Sequence, residues 1–112
     1  MPPSNLEFLR HIKDEITFCL KELNSLNYDE FMRDEVLLRA VIRSLEIIGE
    51  ASKKISLDFK DDHPEVEWKS MAGMRDRLIH HYFGVDYEMV FNTIKNDLPK
   101  LDTIIKSMIN QN

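Results

Sequence analysis

Cysteine occurs once, at Cys19, so no disulfide can form within the chain. A lone thiol suits a reducing compartment, and the expectation is a cytoplasmic protein. Glycine occurs three times and proline four times in 112 residues. That is too few turn-formers for a loop-rich all-β fold. No apolar run approaches the roughly 20 residues that a membrane-spanning helix needs. The opening Met1-Pro2-Pro3-Ser4-Asn5 lacks the basic region and apolar stretch of a secretory signal. Positive charge is also scarce: 15 Lys and Arg stand against 20 Asp and Glu, a formal net charge of −5. Non-specific coating of nucleic acid draws on many cation–phosphate contacts, so this balance disfavours it. One concentrated basic site remains compatible with the balance, and Arg75 and Arg77 form a small concentration of that kind.

What the chain does have is helical periodicity. Ser4-Asn5-Leu6-Glu7 is a capping-box pattern. Leu9, Ile12, Ile16, Cys19, Leu23 and Leu26 follow in steps of three and four, the seam of a packed helix. Cys19 lies in that seam and reads as a small buried apolar residue. Asn27-Tyr28-Asp29-Glu30 repeats the capping pattern and marks a turn. From Phe31 to Phe59 one long helical signal runs through Leu37, Val41, Leu45, Ile48 and Ile55. Gly49 interrupts it and can admit a close neighbour. Arg43, Glu46 and Glu50 have the spacing to pair with one another on the surface. Alternatively, a glutamate of this helix faces Arg75. Asp58, Asp61, Asp62 and His63 match no established metal-ligand spacing, and a solvated helix end explains them; no metal is expected. A last helix, capped by Asp86, carries Tyr87, Val90, Ile94, Leu98, Leu101, Ile105 and Met108. Pro99 should kink or divide it near residues 95–98. Without repeats or linkers, residues 1–112 read as a single all-α domain, an antiparallel four-helix bundle with a short extra helix.

The chemistry is concentrated in Met74-Arg75-Asp76-Arg77-Leu78-Ile79-His80-His81-Tyr82-Phe83-Gly84. Continued as a helix to a stop at Gly84, this run sets Arg75 within roughly 60° of Met71, Leu78, Ile79 and Tyr82. A permanent charge on such a stripe requires a carboxylate, a phosphate or a subunit interface. Asp76 and His80 fall four apart, where the carboxylate can orient the imidazole or raise its pKa. Arg77 and His81 are also four apart, but two positive charges there would repel, so His81 reads as a solvated bystander. Arg75 and His80 lie about 140° apart on a straight helix. A two-fold dimer would bring both groups from both chains into one groove. A hydrogen-bonded interface network would use the same residue types.

Arg75, four residues, His80, one residue, Tyr82 resembles the signature of the HEPN superfamily, and specifically of HepT-like toxins. The stretch from Arg39 to Ala51 resembles that group's central helix. Trp68, Phe83-Gly84-Val85-Asp86-Tyr87 and Asp97-Leu98-Pro99 also match, so the resemblance covers residues 33–101. It implies a HEPN-like helical fold and a homodimeric ribonuclease toxin of a toxin–antitoxin pair. Its partner would be a small nucleotidyltransferase antitoxin that uses ATP and Mg2+ to transfer AMP to Tyr82. The toxin itself would need no cofactor.

The residue types suit cleavage by ribose 2′-OH attack on the adjacent phosphate, without metal. His80 would be general acid or base, Arg75 would stabilise the phosphorane, and Asp76 would orient one of them. Glu46, Glu50 and Arg77 are the supporting candidates. A different class of reading keeps the same groove without catalysis: a helical binding module that docks on a nucleotidyltransferase and binds nucleotide or substrate.

Overall fold

The computed structural model describes residues 4–80 and 84–111, and of His80 the backbone alone. The expected C-terminal members of the chemical run, His81, Tyr82 and Phe83, lie outside the described residues.

Helix α1 spans Asn5–Leu23 and starts where Ser4 accepts a hydrogen bond from the Glu7 amide. Such a cap is worth about 1 kcal/mol. Its buried face is Leu9, Ile12, Ile16, Cys19 and Leu23, the expected seam less Leu26. Each fully buried Leu or Ile contributes about 1.5–3 kcal/mol. Burial pushes the Cys19 thiol up to about 12, with Glu15 adding to the shift and a Ser44 hydrogen bond opposing it. The chain then turns at Asn27, where both halves of the capping box form.

The long signal after Phe31 is three helices rather than one. Helix α2 is Tyr28–Arg33, α3 is Glu35–Lys54 and α4 is Leu57–Asp62. Asp34 makes the first break, since its carboxylate accepts from the Leu37 amide and starts α3 afresh. Short polar side chains compete with the helix for backbone partners in this way. Ser56 does the same for α4, accepting from the Phe59 amide. Ser56 is also tied to Asn5 by two 3.0 Å hydrogen bonds, which fix the end of α3 against the start of α1.

His63 stacks on Phe59, with ring centroids 4.4 Å apart, and its Nδ1 lies 3.1 Å from Glu65. Its carbonyl accepts from the Trp68 indole. Helices α5 (Trp68–Ala72) and α6 (Met74–Leu78) follow, separated by Gly73. Gly49 of α3 admits α5: a Cβ there would sit 3.3 Å from the Met71 carbonyl oxygen. The close approach expected at this glycine is present.

Helix α7 spans Tyr87–Asn92 and is capped by Asp86, as expected. A π-helical segment, Thr93–Asp97, joins it to α8, Leu98–Asn110. Pro99 has no N–H to continue an α-helical ladder, and the widened turns fall immediately before it. The division expected near residues 95–98 therefore takes the form of a π-helix. Within it, Lys95 donates to the Leu23 carbonyl and sits 5.5 Å from the Phe91 ring centroid. A cation at the carbonyl end of α1 is favourable.

The fold is all-α, with α1, α3, the broken α5–α6 pair and α7–α8 as its four layers of helix. Its sole sheet among the described residues is one short antiparallel pair, β1 (Ile79–His80) and β2 (Gly84–Val85). No helix of the described residues is long and apolar enough to cross a membrane.

Candidate active site

Helix α6 presents Arg75, Asp76 and Arg77 to solvent and buries Met74 and Leu78. Five residues make little more than one turn. It is held by its two buried side chains and by the Arg77 amide, which donates to the Gly73 carbonyl.

The helix does not continue to Gly84. It ends at Leu78, and Ile79 is extended at φ −119°, ψ 107°. Ile79 pairs with Val85 and His80 with Gly84, and the Asp86 amide donates to the Leu78 carbonyl at 2.8 Å. Gly84 is not a helix stop but the second arm of this hairpin, at φ +78°, a conformation that favours glycine. The Asp76–His80 spacing of four therefore does not put the two residues on one helical face. The helical angle between Arg75 and His80 lapses for the same reason. So does the stripe joining Arg75 to Met71, which belongs to the separate helix α5.

Arg75 is held by a partner from another helix. Its Nε donates to Glu46 Oε2 of α3 at 3.3 Å. The side chains are 49% and 28% exposed, so the guanidinium is fixed at one edge and open to solvent at the other. The expected glutamate facing the central arginine is Glu46. Asp76 is the nearest other carboxylate, 3.9 Å from Arg75 and itself almost fully exposed.

The other supporting candidates go elsewhere. Glu50 pairs with Lys53 at 3.6 Å, not with Arg75. Arg77 donates to the Ser70 carbonyl at 3.2 Å. It lines a groove of about 400 Å³ whose apolar wall includes Met71, Met74, Leu98 and Leu101. On α6 that direction is roughly opposite to Arg75. Arg75 does not line this groove, nor the neighbouring one bounded by Arg77, Asp86, Met89 and Asn92. The mutual pairing expected of Arg43, Glu46 and Glu50 does not form, because Glu46 and Glu50 each take another cation.

What Arg75 can do follows from this geometry. A guanidinium anchored at one edge and about half exposed is a fixed donor for a phosphate or another oxyanion. The hairpin that begins directly after α6 carries the His80 backbone at its first strand, so arginine and histidine belong to one local unit of three short elements.

The chain's similarity to known proteins extends over nearly its whole length. A family model described as "Ribonuclease HepT-like" matches residues 9–108. The chain belongs to the HepT-like ribonuclease family. The match spans α1 through α8, so the anchoring Glu46 and the Arg75 hairpin both fall inside it. Among individual relatives, "Putative RNase TTE0752" of Caldanaerobacter subterraneus is 43% identical over 102 residues, covering 91% of both chains. "Probable ribonuclease HepT" of Thermococcus cleftensis is 46% identical over 101 residues, covering 90% of this chain and 92% of its own. No solved structure matches the chain.

Proposed function

We propose that this HepT-like chain is the ribonuclease toxin of a toxin–antitoxin pair, acting in the cytoplasm. It cleaves RNA by attack of the ribose 2′-OH on the adjacent phosphate, without a metal ion. His80 exchanges the proton as general base and acid, since an ordinary imidazole titrates near neutrality. Arg75 stabilises the negative charge that gathers on the phosphorane oxygens. Asp76, beside the guanidinium, helps to orient Arg75. The observation that carries this reading is the Arg75–Glu46 pair: a cation anchored on one side and left open on the other, in a chain with the HepT-like ribonuclease match. Two protomers would pool their Arg75 and His80 groups in one groove.

Neutralisation completes the proposal. A partner nucleotidyltransferase, using ATP and Mg2+, transfers AMP to the Tyr82 hydroxyl, releasing pyrophosphate. The added phosphate competes with RNA for Arg75. The test is incubation of purified, AMP-free protein with RNA in EDTA, beside the His80→Ala and Arg75→Ala variants. Cleavage by the parent that both variants lose supports the reading. A parent that binds nucleotide and leaves RNA intact would replace it with the non-catalytic binding module. Mass spectrometry of Tyr82 after co-expression with the partner tests the modification.

A further inference from the structure

Arg43 is exposed on α3 and makes no hydrogen bond or ion pair with any described residue. Its neighbours along the same face are engaged. Arg39 meets Glu35 at 3.1 Å, Glu46 meets Arg75 at 3.3 Å, and Glu50 meets Lys53 at 3.6 Å. Positions 39, 43, 46 and 50 are separated by four, three and four residues, so they share one side of the helix within about 60°. Each acid on this side already has its cation, and Arg43 is the surplus charge.

A chain of net charge −5 has few cations with which to hold a polyanion. We infer that Arg43, together with Arg39, continues the Arg75 site as a track for the backbone phosphates of single-stranded RNA along the outer side of α3. The inference rests on the ribonuclease reading above. Arg39 and Arg43 lie about 6 Å apart along the axis, at 1.5 Å per residue, and Glu46 fixes Arg75 at the next turn. By helical spacing, Arg39 and Arg43 lead along one side of α3 toward the Glu46 that holds Arg75. Arg43 needs no partner displaced before it meets a phosphate. Arg39 gives up only a pair whose side chains are 80% and 79% exposed, and such pairs are weak. The planar guanidinium fork suits a phosphate better than a point charge does.

The experiment is a salt titration of binding to a short single-stranded oligoribonucleotide with 2′-O-methyl riboses, which cannot undergo 2′-OH attack. Arg43→Ala is expected to weaken binding several-fold at low salt and to reduce the log–log salt slope by about 0.7, the value for one lost phosphate contact. With cleavable RNA it should raise KM and leave kcat unchanged. Arg39→Ala should act in the same direction with a smaller effect, and Arg43→Lys should keep the slope. A parent that cleaves RNA beside an Arg43→Ala variant with unchanged slope and KM would overturn the track alone. The same unchanged slope with an altered oligomeric state would make this side a self-association surface, and would also overturn it. A parent that neither binds nor cleaves RNA would overturn the ribonuclease reading with it.

Discussion

Arg75 Nε and Glu46 Oε2 lie 3.3 Å apart although 29 positions separate the two residues in the chain. The contact ties the short helix α6 to the long helix α3. It also decides where the guanidinium points, since one edge is taken and the other faces solvent.

The first prediction follows from that pair. Glu46→Ala should leave the fold nearly as stable, because a half-exposed ion pair contributes about 0–1 kcal/mol. RNA cleavage should fall by about 10-fold to 100-fold, since a loosened arginine misplaces the charge that meets the phosphate. Melting temperature and kcat measured on one preparation separate the two effects. An unchanged kcat would show that Glu46 does not position Arg75.

Gly49 gives a prediction about packing. A Cβ at this position meets the Met71 carbonyl oxygen at 3.3 Å and the Ala72 carbonyl oxygen at 3.6 Å. Both are backbone atoms, so α5 itself would have to move. Gly49→Val should therefore destabilise the protein by about 1–3 kcal/mol, as overpacking does. For Gly49→Ala, the gain in helix propensity of about 1 kcal/mol offsets part of the smaller clash. Urea midpoints of the two variants check the order. A Val variant as stable as the parent would mean that α5 is not fixed against α3.

Those two residues also show what was legible in the chain. Gly49 stands out because a glycine within an apolar helical stripe has few uses besides close approach. The Asn27–Glu30 box and the Asp86 cap are local codes, read within four residues. The end of α6 is different. Leu78, Ile79 and Tyr82 keep the spacing of a helix, and no glycine or proline intervenes before Gly84. The helix stops because Ile79 and His80 find partners in Gly84 and Val85, a hairpin contact that helical periodicity does not carry. Asp34 was hidden for a similar reason: Phe31, Leu37 and Leu38 bracket it in a continuous apolar pattern, while its backbone N–H closes α2 on the Phe31 carbonyl and its carboxylate starts α3. Arg75 was legible as a charge needing a carboxylate, and both Glu46 and Glu50 were in range. Only the packing of α6 on α3 chooses between them.

Cys19 gives a prediction about pH. Burial raises its thiol from the ordinary value of 9.0 to about 12. The folded protein thus keeps a proton that the unfolded chain releases earlier. The contribution is fully present below pH 9 and is lost as pH rises from 9 toward 12. Denaturant titrations across that window should show stability falling more steeply for the parent than for Cys19→Ala. An alkylating reagent at neutral pH should label the thiol only after unfolding. Rapid labelling of the native protein would contradict the burial.

Lys95 tests the π-helical segment. Its ammonium caps the Leu23 carbonyl at the end of α1 and lies against Phe91. Lys95→Ala should cost about 1–2 kcal/mol, the range for a partly buried cation at a helix C-terminus. Lys95→Arg should restore part of it. Equal melting temperatures for parent and Lys95→Ala would remove this residue from the account of stability.

Asp76 separates two roles that its position in the sequence leaves mixed. Its carboxylate is 84% exposed and lies 3.9 Å from the Arg75 guanidinium, while the helix that would have stacked it on His80 ends at Leu78. If its work is to steady Arg75, Asp76→Asn should lower RNA cleavage by less than about tenfold, since an exposed pair is weakly coupled. Arg75→Ala, which removes the charge donor itself, should lower it by about 10²–10³. The pH–rate profile is the sharper measurement. A carboxylate coupled to an imidazole raises the imidazole pKa, so its loss would move the acidic limb to lower pH. With the contact directed to Arg75, that limb should stay where it is in Asp76→Asn. A shift of the limb would instead assign Asp76 to His80 and bring the hairpin closer to α6 than its backbone pairing alone requires.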